Sequence, residues 1–453
     1  MSENGYSLLV STIGVPWGYR GAVYSIEGSD IPATYTATAL TKKYRIKRAL
    51  IVGLDSVNFP EGQDDQKLIM KRIEELKKAK EGLFQSFLRS FRKASEAESY
   101  RDVLMMELSA KEKFLQEKPS DVYSFFLNQE GYRPNVESYE VVRVTIGNIA
   151  AKVALAALSA LRDVTDKEIR VMLDITHGLN WLPLQAERGL ELGLKLASFT
   201  YSKDIKLEVF SSQSIRKVTS EPNRPEMGQI VKLSERFFYR DESLREITWN
   251  LLNSYGKLKR VPLLAFFLEL SAPIAVTKYV NESWDEIEKD FAEPSDELSV
   301  AAGSFSGWLR SLTSGMWSRD TGISEQNLNT FIKKAVNTVY PIGEVLLENE
   351  ISKLKQIHIR NQKLKSQRRL RLCDIIMNEA NYVYCKSSCK DQVYSEGFDL
   401  RNFMAHAGFD DLAVCVSYES SESGETYSFN YDERMWAKIL NESVKYLSMR
   451  RKA

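Results

Sequence analysis

Ile169-Arg170-Val171-Met172-Leu173, running on into Asp174-Ile175-Thr176-His177-Gly178-Leu179-Asn180, is the stretch on which the fold turns. The first five residues have the length and composition of a buried strand. The next seven are mostly small or polar, and Leu179, Leu182, Ala186, Leu190 and Leu194 then recur on one helical stripe. A strand that passes through a polar loop into a covering helix is the repeating unit of a parallel α/β sheet. Its loop lies at the strand's carboxyl end, where open sheets of this kind bind ligands.

Working outward, apolar runs of strand length occur at 7–12, 49–54 and 205–210, with a charged amphipathic helix at 66–80 and an almost wholly apolar one at 149–161. This order predicts a parallel sheet covered on both faces over residues 1–222. The first strand ends in Ser11-Thr12-Ile13-Gly14-Val15-Pro16-Trp17-Gly18-Tyr19-Arg20, where Gly14 allows close backbone approach and Trp17 offers a ring for stacking on a base. The loops after residues 12 and 174 would then form one polar cradle. The same residues also fit a plainer role, with Asp174 and Thr176 as helix caps and Trp17 as a packed aromatic. A dinucleotide fingerprint G-x-G-x-x-G follows none of these strands, which argues against an NAD or FAD enzyme.

The chain has 453 residues, long enough for two or three domains. With 62 Lys and Arg against 61 Asp and Glu, its formal charge is only +1, so any grip on nucleic acid must be local. No signal-like leader opens the sequence, and its longest apolar stretches are too short or too interrupted to span a bilayer. A cytoplasmic protein with no membrane partner is expected. Cys373, Cys385, Cys389 and Cys415 cluster near the end. A lone C-x3-C pair is a weak zinc signal, so no metal is expected, and the thiols read as buried or incidental.

After about Pro222 strand-like runs give way to helical periodicity anchored by Phe237, Trp249, Phe266, Trp308 and Trp317. The expected organisation is a helical connecting region at 223–335 and a mainly helical domain at 336–453. That domain closes with a hairpin formed by 412–418 and 426–431. Residues 351–373 carry eight Lys and Arg and no acidic residue, and they read as one long helix whose basic face either tracks RNA or is simply solvated.

Histidine is scarce: only His177, His358 and His406 are present. His406 lies in Asp399-Leu400-Arg401-Asn402-Phe403-Met404-Ala405-His406-Ala407-Gly408, a short helical segment with Asp399 as N-cap and Gly408 as its stop. Arg401 and His406 stand about 140° apart on a regular helix and would flank one groove. A guanidinium binds phosphate through a fixed fork, and an imidazole moves a proton near neutral pH. Together they suit attack of a ribose 2′-hydroxyl on the adjacent phosphodiester without a metal. One imidazole cannot conveniently serve both the attacking and the leaving oxygen, so a two-fold dimer with two Arg401–His406 pairs in one cleft is the economical arrangement.

The loops at 11–14 and 174–180, the αβ-then-α order and the segment from Arg401 to His406 together make the chain resemble the type III CRISPR-associated ribonucleases that join a CARF domain to a HEPN domain. The resemblance implies an α/β Rossmann-like CARF domain followed by a mainly α-helical HEPN domain. It also implies a CARF pocket for a cyclic oligoadenylate, most commonly cyclic tetra-adenylate, lined by Thr12, Gly14, Thr176, His177, Gly178 and Asn180, with Trp17 beside them. Arg401 and His406 would be catalytic, with Asn402 as the polar neighbour of the arginine. The protein would be a homodimer, or a higher assembly of it, that cuts single-stranded RNA to leave 5′-hydroxyl ends. The competing reading is a nucleotide-sensing transcriptional regulator that grips DNA through its helical middle.

Overall fold

The computed structural model describes residues 5–57, 63–78, 94–177, 181–213, 227–340, 345, 347–353, 356, 369–371, 400–405, 408–409, 414–421, 424–431 and 433–450. They divide into two compact units, one comprising residues up to Tyr239 with Ser295–Glu297, the other Arg240–Pro294 with Leu298 onward.

The first unit is built on an eight-stranded sheet of order β3-β2-β8-β7-β6-β1-β4-β5. Its parallel centre is β7 (Asp204–Gln213), β6 (Glu168–Asp174), β1 (Tyr6–Ile13), β4 (Arg48–Leu54) and β5 (Ser138–Val144). Each of these five strands covers or nearly covers its expected run where one was expected, and β1 is buried along all but its first residue. It pairs with β4 on one side and β6 on the other, which explains its continuous apolar character. The register sets Ser11 opposite Asp174, so the two polar ends meet at one level of the sheet.

Helices α5 (Ile149–Arg162) and α6 (Trp181–Thr200) cover one face. Leu182, Ala186, Leu190 and Leu194 are fully buried there, as the stripe predicts. The two helices nearly touch through Gly189 and Gly193; a Cβ at Gly193 would come within 2.7 Å of the Ala154 carbonyl. On the other face, α1 (Thr36–Tyr44) and α4 (Val122–Leu127) share a core with β1, β2 (Ala22–Ile26) and β4. The charged helix α2 (Gln63–Lys78) packs with the long α3 (Ala94–Glu117) through Ile69, Ile73, Leu76, Leu108 and Phe114.

The sheet differs from expectation at one edge. β8 (Met227–Phe238) runs antiparallel to β7, and β2 and β3 (Ser29–Ala33) complete a mixed border. The first unit therefore extends to Tyr239, past the boundary expected at 222, because β8 belongs to its sheet. Its alternation is hidden in sequence by Lys232, Glu235 and Arg236, which face water or join ion pairs with Glu208, Glu187 and Glu191.

The second unit is mainly helical, with α7 (Arg240–Asn253), α8 (Val261–Glu269), α9 (Pro273–Glu282), α10 (Trp284–Glu288), α11 (Glu297–Thr313), α12 (Glu325–Phe331), α13 (Leu400–Ala405) and α14 (Glu433–Arg450). From Arg240 on, apart from Ser295–Glu297, the residues expected to form a separate connector thus cluster with the C-terminal ones. A five-stranded antiparallel sheet accompanies the helices, ordered β11 (Arg369–Arg371), β12 (Val414–Ser421), β13 (Gly424–Tyr431), β10 (Gly322–Ser324) and β9 (Trp317–Ser318). The expected hairpin is β12 and β13, longer than its apolar runs. The basic stretch is not a single helix: Arg369–Arg371 pair with β12 as a strand. His358 and most of that stretch lie outside the described residues, as do Cys373, Cys385 and Cys389, while Cys415 is buried in β12. Among the described residues no helix is long and apolar enough to cross a membrane.

Candidate functional site

The cradle at the carboxyl ends of β1 and β6 is organised by one buried carboxylate. Asp174 Oδ2 accepts from Ser11 Oγ at 2.8 Å and Thr36 Oγ1 at 2.5 Å, and Oδ1 accepts from the Thr176 amide at 3.0 Å. Asp174, Ser11 and Thr36 have no solvent exposure, so these donors replace the water that a carboxylate otherwise requires. Ser11 Oγ also lies 2.7 Å from the Tyr35 hydroxyl. One side chain thereby ties β1, the start of α1 and the loop after β6 into a single rigid corner.

Two expected ligand residues shape this corner through their hydroxyls. Thr176 Oγ1 accepts from the Ser212 amide at 2.9 Å, which holds the loop against β7. The Thr12 hydroxyl donates to the His177 carbonyl. Both threonines are thus in the cradle, with hydroxyls engaged in building it.

His177 is placed by aromatic rings. Its imidazole stacks on Tyr19 with centroids 4.3 Å apart and planes inclined by 28°, and lies 5.5 Å from the Tyr35 ring. Burial pulls its pKa below the ordinary histidine value of 6.5, against the opposing pull of Asp174. The ring is therefore neutral at pH 7, and its Nε2 is buried without a hydrogen-bond partner among the described residues. Tyr19 in turn accepts from the Gly14 amide through its hydroxyl at 2.6 Å. Burial raises the Tyr19 pKa well above its usual value, so the phenol keeps its proton.

Trp17 is the exception among the expected residues. It is 8% exposed and stacks on Phe114 at 5.5 Å, inside the core shared by α2, α3 and α4. The short 3-10 turn at Pro16–Gly18 carries it away from the cradle and delivers Tyr19 there instead. Tyr19 follows Trp17 by two residues, and nothing local distinguishes which ring faces the loop after Asp174. Tyr35 and Thr36 were likewise invisible as site residues, because their role depends on an aspartate 138 positions from Thr36. Gly178 and Asn180 lie outside the described residues.

In the second unit, Arg401 and Asn402 occupy α13, and His406 lies outside the described residues. The helix is docked by Phe403, which is fully buried against Tyr431 with ring centroids 6.1 Å apart. Arg401 stands about 200° round the helix from Phe403. Gly408, with φ of +83°, donates from its amide to the Phe403 carbonyl at 2.9 Å, and its own carbonyl accepts from the Tyr431 hydroxyl at 2.9 Å. This is the glycine stop expected after His406. A Cβ there would come within 2.8 Å of the Ala272 methyl.

Comparison with known proteins places this geometry. Residues 8–214 match the model of the CARF domain of CRISPR system endoribonuclease Csx1, and the match contains both strand ends and the whole cradle. Among curated proteins none matches the sequence. The structure of Enterococcus italicus Csm6 bound to cyclic hexa-2′-fluoro-hexa-dAMP aligns with 86% of this chain and 73% of that one, at 12% identity and a TM-score of 0.24. A similarity of that size adds nothing to the fold described above. Over residues 8–214, then, the chain is similar to the CARF domain carried by the CRISPR system endoribonuclease Csx1.

Proposed function

We propose that this protein is a cyclic oligoadenylate-activated, metal-independent endoribonuclease of type III CRISPR defence. The observation that carries the reading is the CARF match over 8–214, centred on a rigid cradle at the carboxyl ends of β1 and β6. The cradle suits an adenine-bearing ligand chemically. Neutral His177 and Tyr19 supply stacking faces, and the unpartnered His177 Nε2 supplies a polar one.

The ribonuclease site is assigned to Arg401, Asn402 and His406. His406 takes the proton from a ribose 2′-hydroxyl, whose oxygen attacks the adjacent phosphorus, and Arg401 stabilises the charge that gathers on the phosphoryl oxygens. The bond to the 5′-oxygen breaks, and that oxygen takes up a proton from the second imidazole of a homodimer. The products are a 2′,3′-cyclic phosphate, or the 3′-phosphate it hydrolyses to, and a 5′-hydroxyl. A cyclic ligand with two-fold symmetry, cyclic tetra-adenylate in the first instance, would contact both protomers equally and so bias their relative placement.

The test is cleavage of a labelled single-stranded RNA by purified protein in EDTA, with and without cyclic tetra-adenylate. Cutting that needs the activator, survives EDTA and disappears in His406→Ala and Arg401→Ala is expected. Equal cutting with and without activator would refute the gating, and retained cutting in His406→Ala would refute the assigned catalyst. A regulator that grips DNA would instead shift a promoter fragment in a gel and be indifferent to His406→Ala.

A further inference from the structure

Behind the cradle lies a second charged cluster that no step of the proposed reaction uses. Glu107 and Lys111, one turn apart on α3, are 0% and 1% exposed. Lys111 Nζ donates to Glu107 Oε1 at 2.7 Å, and Arg72 from α2 donates through Nε to the same oxygen at 3.1 Å. The remaining bonds leave the helices for the loop between β1 and β2. Lys111 Nζ donates to the Tyr19 carbonyl at 2.7 Å, and the Gly21 amide donates to Glu107 Oε2 at 2.6 Å. A buried ion pair is poor at adding stability compared with apolar packing, because both charges must lose water. Burial pushes Glu107 up, but Lys111 and Arg72 outweigh it and hold the carboxyl below its ordinary range, so it stays charged. What the pair does supply is direction, because its two backbone contacts bracket residue 20 and fix the stretch that carries Tyr19.

The loop can be held closely only where side chains permit. A Cβ at Gly21 would approach within 2.9 Å of Val103 and 3.3 Å of Glu107, so glycine lets the backbone reach the carboxylate. From that fixed point the Tyr19 ring extends to His177, and its hydroxyl meets the Gly14 amide. We infer that Lys111 and Glu107 are positioning residues for the ligand cradle, acting through Tyr19. This rests on the CARF cradle being the ligand site. Removing the Lys111 ammonium frees the Tyr19 carbonyl, and the ring then samples orientations that do not stack on His177.

The experiment is a double-mutant cycle on the full-length protein, with affinity for cyclic tetra-adenylate measured by calorimetry. Lys111→Met is expected to weaken binding about tenfold, the weight of roughly one charge-assisted hydrogen bond. In a Tyr19→Ala background the same change should cost less than twofold, since its route to the ligand is gone. Lys111→Arg, which keeps the cation, should restore most of the affinity, and RNA cutting by the two single Lys111 variants at saturating activator should be unchanged. Equal losses in both backgrounds would overturn the inference, as would no loss at all. Should Lys111→Met fail to fold, Lys111→Gln takes its place in the cycle. If the wild type binds no cyclic oligoadenylate, the functional reading fails, yet the clamp can still be judged. Amide exchange across residues 14–21 must then rise in the variant while that of β7 holds, and unchanged exchange in that loop sinks the clamp by itself.

Discussion

Replacing Asp174 tests whether one carboxylate organises the cradle. In Asp174→Ala the Thr36 hydroxyl and the Thr176 amide both lose their acceptor, whereas Ser11 retains the Tyr35 hydroxyl. Hydrogen bonds to a charged acceptor contribute about 1.5–3 kcal/mol each, so two stranded donors, one buried and one part-buried, amount to at most roughly 3–6 kcal/mol. Asp174→Asn keeps an oxygen for the Thr176 amide and puts an NH2 toward two hydroxyls that can rotate to accept. Its cost should stay near one neutral hydrogen bond, about 1 kcal/mol. The assay is native-state hydrogen exchange at the end of β6, where the amide of Ile175, one residue past the strand, donates to the Phe210 carbonyl at 3.0 Å. At about 1.4 kcal/mol per tenfold, protection should fall about a hundredfold for Ala and by about tenfold or less for Asn. Equal losses for the two variants would refute the reasoning, because shape alone would then account for the effect.

Three further outcomes follow from particular contacts. Because burial depresses the folded pKa of His177, the unfolded chain binds a proton first as pH falls. The first unit should therefore be most stable above about pH 6.5 and lose stability below it, and His177→Asn should flatten that part of a stability-against-pH curve; an unchanged slope would reject the burial argument. Gly408→Ala must place a side chain at positive φ against Ala272 and Tyr431, at a cost of at least about 1–2 kcal/mol. Thermal melts should show the loss, and RNA cutting should fall with it if the turn sets the end of α13. Trp17→Phe should lower the melting temperature of the first unit while leaving activator affinity within about twofold, since Trp17 packs on Phe114 outside the cradle; a tenfold loss of affinity would return Trp17 to the site.

The central strands were legible because their burial is nearly complete and their composition follows it: β1, β4, β6 and β7 each extend only a few residues beyond their apolar runs. β8 was not, because it mixes buried Gly228 and Ile230 with exposed Leu233 and Phe237, and ion pairs replace a clean alternation. The polar loop after β6 could be read as a site from its position at a strand end. Which aromatic serves it could not, since the choice between Trp17 and Tyr19 is made by Glu107 and Lys111, some ninety residues on. In sequence that pair is an ordinary i, i+4 match of opposite charges on a long helix, the commonest sign of a solvated face. Gly408 was legible for the opposite reason: a helix stop is a local event, and φ of +83° selects its residue type without help from elsewhere.

The placement of β1 between β4 and β6 has a bearing on biosynthesis. The strand is made before β4 and β6, and Ser11 meets its partner Asp174 only after a further 163 residues have been made. At roughly 5–20 residues per second, the nascent segment waits about 8–33 s with one edge and its oily faces unsheltered. Such a long-range closure is slow and prone to sticking, so this chain should lean on holdase chaperones during translation, and its yield should respond to codons that alter the pace before residue 174.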